Sequence, residues 1–156
     1  MTEDGIRGLD ICLGETFKSS RTVGEALLDV AGGLIGGTHP VHVDANYARR
    51  LGLRDRALHG GLTTAIMLAG IGQRFGHAPI VIAEHSCRFR APVHPGDILR
   101  VCWRVTQLKP ASESKRGTVV VEGDCTNQAD VLVAQAQATV VLLVPAPSSG
   151  PPSSLP

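Results

Sequence analysis

The 156-residue sequence predicts an α+β domain in which a curved antiparallel sheet wraps around one central helix. Three observations predict it. Helical spacing of apolar residues is confined to the first half of the chain, and from Ile80 onward the period falls to two. The segment from Gly60 to Phe75 is apolar almost all round, the pattern of a helix with protein on most of its sides.

Each element has its own local reason. Thr22-Val-Gly-Glu25 reads as a capping box, in which a hydroxyl and a carboxylate satisfy free amides at a helix start. Leu27, Val30, Ala31, Leu34 and Ile35 then recur at helical spacing, so a helix runs from Gly24 to Ile35 and stops at Gly36-Gly37. After a loop carrying His39-Pro40-Val41-His42, Asp44 is the N-cap of a small helix through Tyr47 to Arg50, closed by Gly52. Its Arg49 and Arg50 sit at the carbonyl end, where the helix dipole favours cations. The central helix stops at Gly76.

In the second half, Leu99, Val101, Trp103 and Val105 alternate with Arg100, Cys102 and Arg104, and Val119 and Val121 alternate in the same way. Ala134, Ala136, Ala138, Val140 and Leu142 line one face of a long last strand, small enough to let a helix lie close. Turn signals at Pro95-Gly96-Asp97, Lys109-Pro110 and Asn127 to Asp130 separate the strands as an antiparallel meander. Residues 1–144 form one domain, and the Pro/Ser-rich run of 145–156 has almost nothing to bury and reads as a disordered tail.

Composition excludes several classes. Fifteen Lys and Arg against fourteen Asp and Glu leave a formal charge of +1, and only 3% of residues are aromatic, so neither a basic field nor a stacking platform argues for nucleic acid. The longest apolar run, Leu62 to Ile71, is well short of the roughly 20 residues a bilayer span needs, so no membrane span is expected. The first eighteen residues hold Glu3, Asp4, Asp10 and Glu15 with no basic-then-apolar order, which argues against a secretory signal. Cys12, Cys87, Cys102 and Cys125 lack C-x-x-C spacing and read as small core residues of a reduced, cytoplasmic protein.

One polar constellation stands out. Gly36-Gly37-Thr38-His39-Pro40-Val41-His42-Val43-Asp44 is followed by Tyr47-Ala48-Arg49, by His59-Gly60 opening a helix, and by Phe89-Arg90-Ala91-Pro92-Val93 and Pro95-Gly96-Asp97. In this order and with these gaps the chain, from about Glu15 to Val144, resembles the MaoC-type or (R)-specific enoyl-CoA hydratase family of hot-dog proteins. The family's first signature reads Gly-Asp-x-Asn-Pro-aliphatic-His. Here the position of its catalytic aspartate falls on Gly37 and that of its asparagine on His39.

The resemblance implies reversible, cofactor-free addition of water across the trans-2,3 double bond of an acyl thioester, carried by coenzyme A or an acyl-carrier protein. It carries His42 over as the acid/base and the Gly60 amide as the oxyanion hole, with Gly37, His59 and Gly61 beside the substrate. Elementary chemistry agrees on two of these. Imidazole takes and returns a proton near neutral pH, and a glycine in the first turn of a helix offers an unpaired N–H with no Cβ in the way. A homodimer or higher homo-oligomer is expected, because the open edges of such a sheet need covering.

The missing carboxylate leaves alternatives open. His39, two residues from the vacant position, is a second acid/base if its loop turns it inward, and Asp44 either orients His42 or caps the next helix. His42 itself has a plain rival reading as a core imidazole bonded to a carbonyl. An aspartate restored at Gly37 should raise activity if that position still faces the substrate. A chain without the carboxylate also suits a non-enzymatic role, as an acyl-thioester-binding or partner subunit of a heteromeric dehydratase. His39-x-x-His42-x-Asp44 has ligand types that zinc accepts, but it lies in a Pro-containing loop with no further cluster, so no metal is expected. Gly32 to Gly37 fails G-x-G-x-x-G in every register, which argues against a nucleotide. Arg88, Arg90, Arg100 and Arg104 fall on one outward side, either a solvated face or a contact for phosphates.

Overall fold

The computed structural model describes residues 10–76, 78–109 and 116–143. Along them run β1 (Thr16–Thr22), α1 (Glu25–Ile35), α2 (Pro40–Val43), α3 (Ala45–Arg50), α4 (Gly60–Phe75), β2 (Ile80–Phe89), β3 (Ile98–Lys109), β4 (Arg116–Thr126) and β5 (Leu132–Leu143). The tail, His77 and the turn at Pro110 lie outside the described residues.

All strand pairings are antiparallel, in the order β1-β3-β4-β5-β2. The expected meander holds for β3, β4 and β5 only. β2 crosses to the far edge against β5, and β1 takes the other edge against β3. Turn signals mark where strands end, and they say nothing about which strands become neighbours.

The expected capping box does not form. Thr22 is the last residue of β1, its backbone committed to pairing with Ile98, so Gly24 takes the N-cap without a side-chain bond. The Glu25 carboxylate turns instead to the Arg56 guanidinium. α1 buries Leu28, Ala31 and Gly32, whereas Val30, Leu34 and Ile35 of the predicted face are exposed at 54–78%. Its C-terminal end runs out past the core, so only its first turns find apolar partners. It ends, as expected, at Gly36 in the left-handed region (φ +66°).

The predicted helix from Gly60 to Phe75 is present over those residues, but it is not enclosed. Thr63, Thr64, Met67, Gly70, Ile71 and Phe75 are buried, while Gly61, Ala65, Ala69 and Gly72 form an outward side. It rests on β1, β3 and β2. A Cβ at Gly70 would stand 2.6 Å from Ser19 Oγ of β1, so this glycine sets how closely helix and sheet approach. The predicted alternation in β3 and β5 holds. Leu99, Val101, Trp103 and Val105, with Ala134, Ala136, Ala138, Val140 and Leu142, are buried around Met67 and Ile71. A fully buried Leu or Ile of this kind contributes about 1.5–3 kcal/mol. Among the described residues no helix is long and apolar enough to cross a membrane.

Candidate active site

The segment between α1 and α4 carries the polar constellation, and backbone chemistry shapes it. Pro40 occupies the first position of α2, where its missing N–H costs nothing, and His39 caps this turn by accepting from the Val41 N–H at 3.3 Å. The stretch expected as a loop therefore contains one helical turn, for which Pro after a polar residue was the available signal. Asp44 then accepts from the N–H groups of Asn46 and Tyr47 (2.8 and 3.1 Å) and starts α3. Of its two open roles, the structure gives Asp44 that of helix cap. α3 is closed by Gly52 at φ +83°.

The following segment, between α3 and α4, is clamped on both sides. Arg56 pairs with Glu25 and Asp29 of α1. The Asp29 hydrogen bond outweighs desolvation and, with Glu25, holds this guanidinium charged more firmly than usual. Buried Asp97 accepts from the His94 N–H (2.8 Å), Gln128 Nε2 (2.9 Å) and Arg54 Nη2 (2.5 Å), and His94 Nδ1–H donates to the Arg56 carbonyl at 2.8 Å. Ala57 N–H donates to the Val41 carbonyl and Leu58 N–H to that of Val93. These bonds fix the Ala57 carbonyl, which no reading of the sequence singled out.

That carbonyl accepts from His42 Nδ1 at 2.8 Å. A carbonyl only accepts, so Nδ1 carries the hydrogen, which in the neutral imidazole leaves Nε2 with its lone pair. The half-buried His42 ring lies face to face with His59, with centroids 3.8 Å apart and planes at 24°. His59 in turn donates Nε2–H to the Gly37 carbonyl at 2.6 Å, and its buried Nδ1 has no hydrogen-bond partner. A Cβ at residue 37 would collide with His59 Nε2, so aspartate does not fit at Gly37 unless this ring moves.

Next to His59, Gly60 and Gly61 open α4. Their N–H groups have no helical carbonyl four residues back and lie at the positive end of a sixteen-residue helix. A cleft of about 370 Å3 borders Gly60, lined by Leu58, Thr63, Phe89, Arg90, Ala91, Pro92 and Val93. The Phe89 ring stands over Gly60, 2.8 Å from where a Cβ would be. Neither His42 nor His59 is part of this cleft's wall.

The structure thus gathers Gly37, His42 and His59, with Gly60 adjoining, and leaves His39 apart. His39 is exposed, its Nδ1 is taken by the Val41 N–H, and its ring centroid lies 6.3 Å from that of His42 and 5.9 Å from that of Tyr47. Phe89 and Arg90 entered the sequence reading as signature residues and as part of an outward row, not as walls of a cleft. The outward arginines are not a purely basic surface. Arg88, Arg90 and Arg104 border a groove together with Glu122 and Asp124, and Arg100 pairs with Asp130 at 3.1 Å.

The sequence pattern of the family described as MaoC-like domain matches residues 15–127. An (R)-specific enoyl-CoA hydratase of Rhodospirillum rubrum is 30% identical over 125 residues, covering 75% of this chain and 87% of the relative. A 3-hydroxybutyryl-CoA dehydratase of Methylorubrum extorquens is 32% identical over 114 residues, 73% of this chain and 69% of the relative. The structure of an unliganded R-hydratase from Pseudomonas aeruginosa superposes with a TM-score of 0.75 over 94% of both chains at 24% identity, a likeness in fold.

Proposed function

Because the chain belongs to the MaoC-like domain family and carries its hot-dog fold, we propose that it adds water to enoyl thioesters or removes it from 3-hydroxyacyl thioesters. The two curated relatives support coenzyme A esters as substrates, and acyl-carrier-protein thioesters are the second carrier to test. The observation that carries the reading is the hydrogen bond from His42 Nδ1 to the Ala57 carbonyl, which in the neutral ring leaves Nε2 to take a proton.

In this reading His42 Nε2 takes a proton from water as its oxygen bonds to the β-carbon. The electron pair of the double bond moves onto the thioester carbonyl as an enolate, and the imidazolium returns the proton to the α-carbon. The enolate oxygen is stabilised by the Gly60 N–H, with that of Gly61 behind it, at the start of α4. The ring and the amide are linked through His59, on which His42 stacks and which directly precedes Gly60. A single acid/base without its carboxylate partner gives up a contribution worth about 10²–10⁴ in rate. Slow turnover is therefore expected.

Loss of the conjugated enoyl absorbance on mixing purified protein with short and medium enoyl-CoA esters tests this directly. Hydration that survives His42→Ala unchanged would reject the base. Edge strand β2, with Val81, Ile82 and Phe89 exposed, supports a homodimer or larger homo-oligomer, which light scattering reads out.

Gly37 favours a second reading, a thioester-binding subunit that depends on a catalytic partner. Tight binding of acyl-CoA without turnover, with activity gained only on adding another chain, would select it.

A further inference from the structure

We propose that His59 is the positioning residue of this site. By stacking on His42, it orients the base in a site where residue 37 carries no carboxylate. The inference rests on the reading of His42 as the base.

Four observations support it. The two rings are nearly parallel at 3.8 Å, so His42 cannot rotate about its Cβ–Cγ bond without leaving the face of His59. Each ring spends one N–H on a backbone carbonyl, His42 on Ala57 and His59 on Gly37, so both are held at their edges as well as at their faces. His59 is 6% exposed and keeps its Nδ1 buried without a partner. A side chain free to choose would turn that nitrogen to water, so the ring's place is imposed by its surroundings. Finally, a Cβ at residue 37 would collide with His59 Nε2, which makes Gly37 and His59 a matched pair. His39, the replacement suggested by sequence, makes neither contact.

The experiment is imidazole nitrogen NMR on the full chain with labelled histidine, alongside steady-state hydration of an enoyl-CoA ester. In the unmodified protein His42 should show a protonated Nδ1 and a bare Nε2, and His59 the reverse. His59→Ala should leave His42 exchanging between tautomers and lower kcat roughly ten- to a hundredfold, with KM changed less than about threefold, as for a misoriented catalytic group. Gly37→Ala should reproduce both effects by displacing the ring, and the double variant should be no worse than either alone. His59→Phe, which keeps the stacked face, should restore the His42 spectrum and most of kcat. If His59→Ala does not fold, Gly37→Ala and His59→Phe carry the same test.

An unchanged His42 tautomer in His59→Ala or Gly37→Ala overturns the proposal, as does a double variant whose loss is the product of the single losses. If the unmodified protein hydrates no enoyl thioester, the functional reading fails while the spectra still decide whether His59 positions His42.

Discussion

Trp103 Nε1–H donates to the Met67 carbonyl at 3.0 Å, fastening α4 to the middle of the sheet. The same ring lies against Gly123 of β4, close enough that a Cβ there would collide with it. The indole is thus held between a helix carbonyl and a strand with no side chain.

Gly123→Ala should therefore destabilise the fold by about 1–3 kcal/mol, the range for overpacking a buried site. Trp103 is the sole tryptophan, so its fluorescence follows urea unfolding directly. An unchanged midpoint would show that the indole is not held there.

The Arg74 hydrogen bond holds the Glu15 carboxyl below its ordinary value of 4.5, with the pair at 2.6 Å. The unfolded chain binds that proton more readily than the native one. The pair's stabilisation is thus present above the ordinary value and is lost as pH falls through the lowered native one. For a pair about a quarter exposed it is worth about 0.2–1 kcal/mol. The melting temperatures of the unmodified protein and Glu15→Gln should differ near neutral pH and converge in acid. A gap that widens in acid would contradict the assignment.

Asp44→Ala removes two hydrogen bonds at the start of α3 and should cost about 1 kcal/mol of stability. If Asp44 is a cap and not a catalyst, hydration by the folded variant stays within about threefold of the unmodified protein. A loss of orders of magnitude in kcat would return it to the reaction.

Burial, and secondarily the neighbouring Cys87, push the Cys125 thiol up to about 12, while Cys12 is exposed. Iodoacetamide at neutral pH should modify Cys12 in the native protein and reach Cys125 only after unfolding, because the thiolate is the reactive form. Equal labelling of both in the native state would refute the buried position.

What was legible in the sequence was what local chemistry decides. Asp44, Gly52 and Gly76 mark the ends of α3 and α4 because caps and left-handed glycines act within a turn, and the alternation from Leu99 to Val105 marks β3 because burial on one face has period two. The signal at Thr22 to Glu25 was equally local and lost to a distant partner, since pairing of Thr22 with Ile98 removed the threonine from the helix start. Sheet order was hidden for the same reason. Within the site, His42 and Gly60 were carried over from the family resemblance, and residue type and place at a helix start agree with them. The meeting of His59 with Gly37 needed two segments twenty-two residues apart to be folded together.

The sheet order also sets a sequence of events in time. β3, β4 and β5 are joined as successive hairpins, whereas Thr16 must find Arg104 and β2 must cross to the opposite edge before either border closes. Early structure is expected in the three central strands, and the span from Gly36 to His59, tethered between late-arriving borders, should consolidate last. Damage to that span should accelerate escape from the native state and leave the approach to it almost untouched, while damage at Gly123 should retard the approach, a contrast visible in opposite arms of a stopped-flow chevron.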